Sequence, residues 1–161
     1  MAVNIHAGCV LLGDRGVLIR GDAGSGKSTL ALALLAAVRG FGGFASLVCD
    51  DRAELETRGG RLLARCPAAI AGLVEIRGLG VVTRPFRPVA VVDLAVTLVP
   101  GAAVERFPET ATETVEGVRL RSLVLARRSA DVATRTVLAA VESCGERPVS
   151  AGLPGFSTKI A

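Results

Sequence analysis

The chain has 161 residues, half of them apolar, with 19 basic and 15 acidic side chains and a formal charge of +4. That length gives one domain with a substantial core and calls for no second one. All five aromatics are Phe and the basic residues are scattered rather than gathered in a stripe, which speaks against nucleic-acid recognition by stacking or by a cationic face.

In chain order, residues 2–6 and 9–12 read as short strands. Gly13-Asp14-Arg15 is a turn leading to an apolar strand at 16–19. A helix is expected from Lys27 to about Arg39 and Gly40, where glycine is a natural stop. Residues 44–49 read as a core strand ending in Asp50 and Asp51, followed by a hairpin of 55–58 and 61–64 around Gly59 and Gly60. A strand is expected within 70–76, and 89–99 is the longest β-rich run. Residues 101–116 are polar, 118–125 form a last strand, and Asp131 to Ser143 form a helix with Val132, Thr136, Val137, Ala140 and Val141 on one face. The Pro- and Gly-rich stretch 145–161 is expected to be a tail outside the 1–144 domain, mobile or ordered against a second subunit. The fold class is therefore α/β, a single domain with a mixed core sheet flanked by helices.

Between the strand at 16–19 and the following helix lies Gly21-Asp22-Ala23-Gly24-Ser25-Gly26-Lys27-Ser28, with Thr29 opening the next turn. This is a complete P-loop in the strand-loop-helix setting that the motif requires. Glycines let backbone N–H groups approach phosphate oxygens, and the helix start adds unpaired donors and partial positive charge. Lys27 is the charge for the β- and γ-phosphates, and the Ser28 hydroxyl is an Mg2+ ligand. A nucleotide or another polyphosphate is the expected ligand.

Partner acids decide what is done with it. Asp50 and Asp51 stand where the strand after the P-loop helix ends, and neighbouring strand residues face opposite ways, so the two divide the work. One is expected to face the phosphates while the other holds Mg2+ or orients a neighbour. The competitor is Asp93, which closes Val89-Ala90-Val91-Val92-Asp93 in the manner of a Walker B strand, although the apolar run continues beyond it. With Asp93 as metal ligand the chain is a small-molecule kinase or other P-loop nucleotidase; without turnover it is a nucleotide-sensing binding module.

Cys9, Cys49, Cys66 and Cys144 are too widely spaced for a zinc or redox motif and are expected as reduced, mostly buried thiols. No apolar run approaches the roughly 18 residues that a membrane helix needs. A cytoplasmic location, with neither membrane nor nucleic acid as partner, is the expectation.

The order Ile5-His6-Ala7-Gly8, then the P-loop, then Asp50-Asp51-Arg52, then Leu73-Val74-Glu75-Ile76-Arg77-Gly78-Leu79-Gly80 resembles HPr kinase/phosphorylase. The last stretch is similar to that family's L-E-I-R-G-L-G signature. The resemblance implies the nucleotide-binding fold shared with PEP carboxykinase. It also implies ATP-dependent phosphorylation of a serine of the phosphocarrier HPr, with a reverse dephosphorylation, in control of the sugar phosphotransferase system. By position, Asp50 resembles the acid that takes the serine proton, His6 the active-site histidine and Lys27 the P-loop lysine. Ser28 and Glu75 resemble the Mg2+ ligands, to which the reading of the paired acids adds Asp51 as a candidate; Val74 to Gly80 match the signature, and Arg106 a later catalytic arginine. A homo-oligomer, the hexamer of the family, is implied as well, while the choice between ATP and pyrophosphate stays open. Three departures stand out: the chain is expected to be the catalytic domain alone, the spacing from Lys27 to Asp50 is longer, and the late P-V-R-P-G-R-N segment reads Leu123-Val124-Leu125-Ala126-Arg127-Arg128. Whether Arg127 or Arg128 takes the place of the missing motif is left open by the sequence.

Overall fold

The computed structural model describes residues 1–106 and 111–144. The expected tail at 145–161 lies outside the described residues. Ten strands and two helices follow in order: β1 (Val3–Leu12), β2 (Arg15–Gly21), α1 (Lys27–Gly40), β3 (Ala45–Cys49), β4 (Arg52–Arg58), β5 (Arg61–Arg65), β6 (Leu73–Ile76), β7 (Gly80–Thr83), β8 (Val89–Val99), β9 (Thr112–Val115), β10 (Val118–Ala126) and α2 (Ala130–Glu142). The mixed α/β architecture with a sheet-dominated core is the one expected.

Eight strands share one sheet, and β6 and β7 form a separate hairpin. The main sheet is mixed: β2 and β10 flank β8 in parallel, while β1 pairs antiparallel with β2, β3 and β4. Strand β1 is long enough to change partners, meeting β4 through residues 3–6 and β2 through residues 7–12. β8 does the same, leaving β5 after Val91 and entering the β2 and β10 pairings. The sheet therefore curls back on itself and encloses a second core on the face away from the helices.

Side-chain alternation builds both cores. On the helix side, Val17 and Ile19 of β2 and Leu94, Val96 and Leu98 of β8 meet Leu30, Leu34 and Val38 of α1 and Val137 of α2. On the other side, Leu18, Cys9, Cys49 and Ala95 pack with Ala53, Leu55, Leu62 and Ala64 of the β4–β5 hairpin. Each fully buried Leu contributes about 1.5–3 kcal/mol of transfer free energy. With Cys9 and Cys49 inside this core, burial alone pushes the Cys9 thiol up to about 12, so it carries no thiolate at neutral pH.

Several sequence expectations change. The two strands read at 2–6 and 9–12 are one strand, because Ala7 and Gly8 continue in extended pairing rather than turning. The polar run after Pro100 contains β9, an edge strand joined to β10. The buried face of α2 is Ala133, Thr134, Val137 and Ala140, and Val132 is 64% exposed. Helical spacing puts Ala133, Val137 and Ala140 on one line, and Val132, one position ahead of Ala133, points away from it.

Candidate functional site

β2 delivers the chain to the open end of the sheet, where residues 21–26 turn before α1 begins. Gly26 caps α1 with φ of 97°, a conformation that glycine adopts without strain, and no side chain caps the first turn. Gly21 must also lack a Cβ, which would stand 2.6 Å from Ser25 Oγ. The amide groups of the first turn of α1 are thus left facing a cleft, the arrangement that receives anions. The cleft has a volume of about 470 Å³ and opens between the P-loop, β6 and the start of α2.

Lys27 is 7% exposed, and its Nζ donates to the carbonyls of Gly21 at 2.8 Å and Asp22 at 3.1 Å. Burial lowers its pKa, against the pull of the carboxylates of Asp51, Asp50 and Asp22. A phosphate in the cleft offers the same ammonium a stronger acceptor than a neutral carbonyl.

At the end of β3 the two acids part. Asp50 is 5% exposed; Ser28 Oγ donates to its Oδ1 at 2.7 Å, and the Glu75 N–H donates to its Oδ2 at 3.4 Å. Desolvation raises its pKa, opposed by those two donors, with Asp51 adding to the rise. Asp51 takes a left-handed φ of 66°, which swings its side chain out into the cleft. There its Oδ1 lies 2.8 Å from Nε2 of His6, with both side chains substantially exposed, at 66% and 40%. His6 comes from the middle of β1, where Arg52 opposes it across the β1–β4 ladder.

The structure brings together most of the residues singled out from sequence. His6, Ala23, Gly24, Gly26, Lys27, Ser28, Thr29, Asp51, Glu75 and Arg77 all line the cleft, with Asp50 directly behind Ser28. The signature segment is the β6–β7 hairpin: Val74 is buried against the helix-side core, and Arg77, Gly78 and Leu79 form the turn. Arg106 is exposed after the short helical turn at Gly101–Ala103 and is not among the residues that line the cleft. Arg128 is there instead, with Ser129 and Ala130. The signal for it was the Arg127-Arg128 pair directly after a strand that runs parallel to β8, and so ends at the same sheet edge as the P-loop.

Asp93 is corrected. It is the extra residue of a bulge, since Gly16 pairs with Val92 and Val17 with Leu94. Its Oδ2 accepts the Gly16 N–H at 3.2 Å and its Oδ1 lies 3.4 Å from Nη1 of Arg15. Those partners lie at the start of β2, whereas the P-loop leaves its far end, so Asp93 is a structural acid and not the metal ligand of a Walker B strand.

This geometry finds its counterpart among known proteins. The family model of the HPr serine kinase C-terminal domain matches residues 1–123. The chain belongs to that family. HPr kinase/phosphorylase of Chromobacterium violaceum is 36% identical over 124 residues, 68% of this chain and 37% of that protein. The Bordetella pertussis protein of the same name is 48% identical over 66 residues, 40% of this chain and 20% of its own length. The solved structure of the HPr(Ser) kinase/phosphatase from Coxiella burnetii matches with a TM-score of 0.73 at 26% identity, covering 86% of this chain and 95% of that one. The chain spans well under half the length of these curated relatives. The HPr kinase family match takes in the P-loop, both acids and Glu75, and it ends before Arg128. Among the described residues no helix is long and apolar enough to cross a membrane.

Proposed function

We propose that this chain transfers the terminal phosphoryl group of ATP to a serine of HPr, in the cytoplasm, and that the two neighbouring acids hold separate roles. The observation that carries this reading is the opposite aim of Asp50 and Asp51. Asp50 is buried and takes the Ser28 hydroxyl, while Asp51 stands in the cleft beside His6.

The P-loop amides and Lys27 hold the donor phosphates. Ser28, its hydroxyl held by the buried Asp50, and Glu75, which lines the same cleft, would offer oxygens to Mg2+, which prefers a few protein oxygens completed by phosphate. Mg2+ bound there supplies positive charge against the charge that develops on the transferring group. The proton of the serine hydroxyl goes to a carboxylate as the new O–P bond forms and the donor's terminal bridging bond breaks. The sequence resemblance gives that role to Asp50. The geometry supports Asp51, because an acceptor in the cleft can reach Asp51 without displacing Ser28. His6 orients the Asp51 carboxylate through its Nε2 contact.

Incubation of the chain with γ-labelled ATP, Mg2+ and HPr tests the reading, and labelled HPr serine is the expected result. Bound nucleotide with no label on HPr would sink it. Adding inorganic phosphate or pyrophosphate afterwards reads the reverse reaction, expected at the same site, and replacing ATP by pyrophosphate reads donor choice. Sedimentation with and without nucleotide reads whether the chain forms the family's homo-oligomer.

A further inference from the structure

The P-loop presents two carbonyl groups, those of Gly24 and Ser25, to the segment between β10 and α2. Both accept hydrogen bonds from one residue more than a hundred positions later. The Arg128 N–H donates to the Ser25 carbonyl at 3.0 Å, and Arg128 Nε donates to the Gly24 carbonyl at 3.1 Å. Arg128 holds a left-handed φ of 56°, uncommon for a residue with a long side chain and sustained by its surroundings when it occurs. Gly26 packs against the same residue: a Cβ there would lie 3.5 Å from Arg128 N and 3.7 Å from its Cα. The loop between β10 and α2 is therefore seated on residues 24–26.

The guanidinium does more than reach the Gly24 carbonyl. Arg128 lines the cleft, and with Nε committed its Nη2 lies 3.8 Å from the place a Gly24 Cβ would take. Nη2 of Arg77, from the β6–β7 turn, is 4.0 Å from the same point. Two guanidinium groups from separate elements converge on one glycine, and Lys27 lines the cleft beside them.

We propose that Arg128 is the positioning residue of the P-loop: it ties Gly24 and Ser25 to the start of α2 in the shape that receives a polyphosphate. The physical reason is polarity. A loop carbonyl free to turn toward a bound anion repels it, and one already engaged by a donor is held in place with the adjoining N–H groups left for the phosphate. Arginine suits the task because its planar fork can spend one N–H on a carbonyl and still present others to phosphate, whereas a lysine offers a point charge. This assignment rests on reading the cleft as a polyphosphate site.

The test is calorimetric titration of the whole chain with pyrophosphate, and with ATP plus Mg2+, for the unaltered protein, Arg128→Gly and Arg128→Lys. Glycine adopts φ of 56° freely, so it keeps the N–H bond to Ser25 and removes only the side chain. Lysine keeps the charge without Nε. Both variants are expected to bind pyrophosphate roughly ten- to a hundredfold more weakly, the scale of hydrogen bonds to charged groups. Both are also expected to exchange the amide protons of residues 24–26 faster while melting with the unaltered protein. Arg128→Lys binding as tightly as the unaltered chain overturns the positioning role in favour of simple charge. Unchanged affinity in Arg128→Gly, or a lower melting temperature with unchanged affinity, overturns it altogether. If the unaltered chain binds pyrophosphate but never labels HPr, the kinase reading falls and the assignment of Arg128 stands; if it binds no polyphosphate, both fall.

Discussion

The hydroxyl of Ser28 donates a 2.7 Å hydrogen bond to Oδ1 of Asp50, joining the first turn of α1 to the end of β3. A buried carboxylate with one good side-chain donor depends on it. Ser28→Ala removes that donor and leaves the 3.4 Å bond from the Glu75 N–H as the closest remaining one. The expected outcome is a loss of about 1–3 kcal/mol in stability, the desolvation penalty of a buried group stripped of its partner. Denaturant melts measure that loss. Weaker Mg2+-dependent ATP binding is expected alongside it, and an Mg2+ titration at fixed ATP measures it.

Asp50 also sets a pH dependence. Its pKa is raised in the folded chain by desolvation, so the native state favours the protonated form more than the unfolded state does. The sign follows: the contribution is fully present below the ordinary carboxylate range and is lost as pH rises through the raised native value. Asp50→Asn is a neutral stand-in whose carbonyl can still accept from Ser28. The variant is expected to melt higher relative to the unaltered protein at pH 7 than at pH 4, while losing metal-dependent transfer. Thermal melts at the two pH values check it, and a gap that shrinks toward neutral pH would show that the buried charge is not the cause.

Asp51 is expected to act on rate. Asn is at home in the left-handed region, so Asp51→Asn keeps the local backbone at φ of 66° and removes only the proton acceptor. We expect kcat to fall by roughly 10²- to 10⁴-fold, the usual worth of general base catalysis, with nucleotide affinity little changed. His6→Ala, which removes the group that aims Asp51, is expected to cost less than Asp51→Asn. Arg106→Ala, away from the cleft lining, is expected to leave nucleotide affinity as it was. Single-turnover kinetics and ATP titrations on the three variants separate these outcomes; full transfer by Asp51→Asn would return the role to Asp50.

Local chemistry was legible in the sequence, and folded-back chemistry was not. The P-loop declares itself because its glycines, Lys27 and Ser28 are consecutive and sit between a strand and a helix. β2, β3, β8 and β10 were readable as apolar runs, and the β4–β5 hairpin from Gly59 and Gly60. β7 was not, since Val81, Val82 and Thr83 follow a glycine turn and give way at once to Arg84 and Pro85. β9 was hidden because an edge strand of Thr112, Glu113, Thr114 and Val115 needs only one buried side chain, Val115. The different burial of Asp50 and Asp51 depends on a backbone twist at Asp51 that no spacing rule contains. Arg128 lies beside Gly24 only because β10 runs parallel to β8, and β8 parallel to β2.

Asp93 supplies a last expectation, on stability alone. Its carboxylate takes the Gly16 N–H at the bulge and pairs with Arg15, both partners being almost out of solvent. Gly16 is crowded as well, since a Cβ there would stand 2.1 Å from the Val91 carbonyl. The bulge is what lets β8 leave the β5 pairing and face Leu94, Val96 and Leu98 toward the helices, so its acid anchors a change of partner. Asp93→Ala takes an acceptor from the buried Gly16 amide and one of two carboxylates from Arg15, which keeps Asp14 at 3.5 Å, and a loss of roughly 1–3 kcal/mol is expected, as for a buried donor deprived of its acceptor. Below the melting transition the variant is expected to bind ATP and transfer phosphate as the unaltered chain does. Chemical denaturation and specific activity on the same preparation check both halves. A stable but inactive Asp93→Ala would mean that the acid at the bulge serves the chemistry after all.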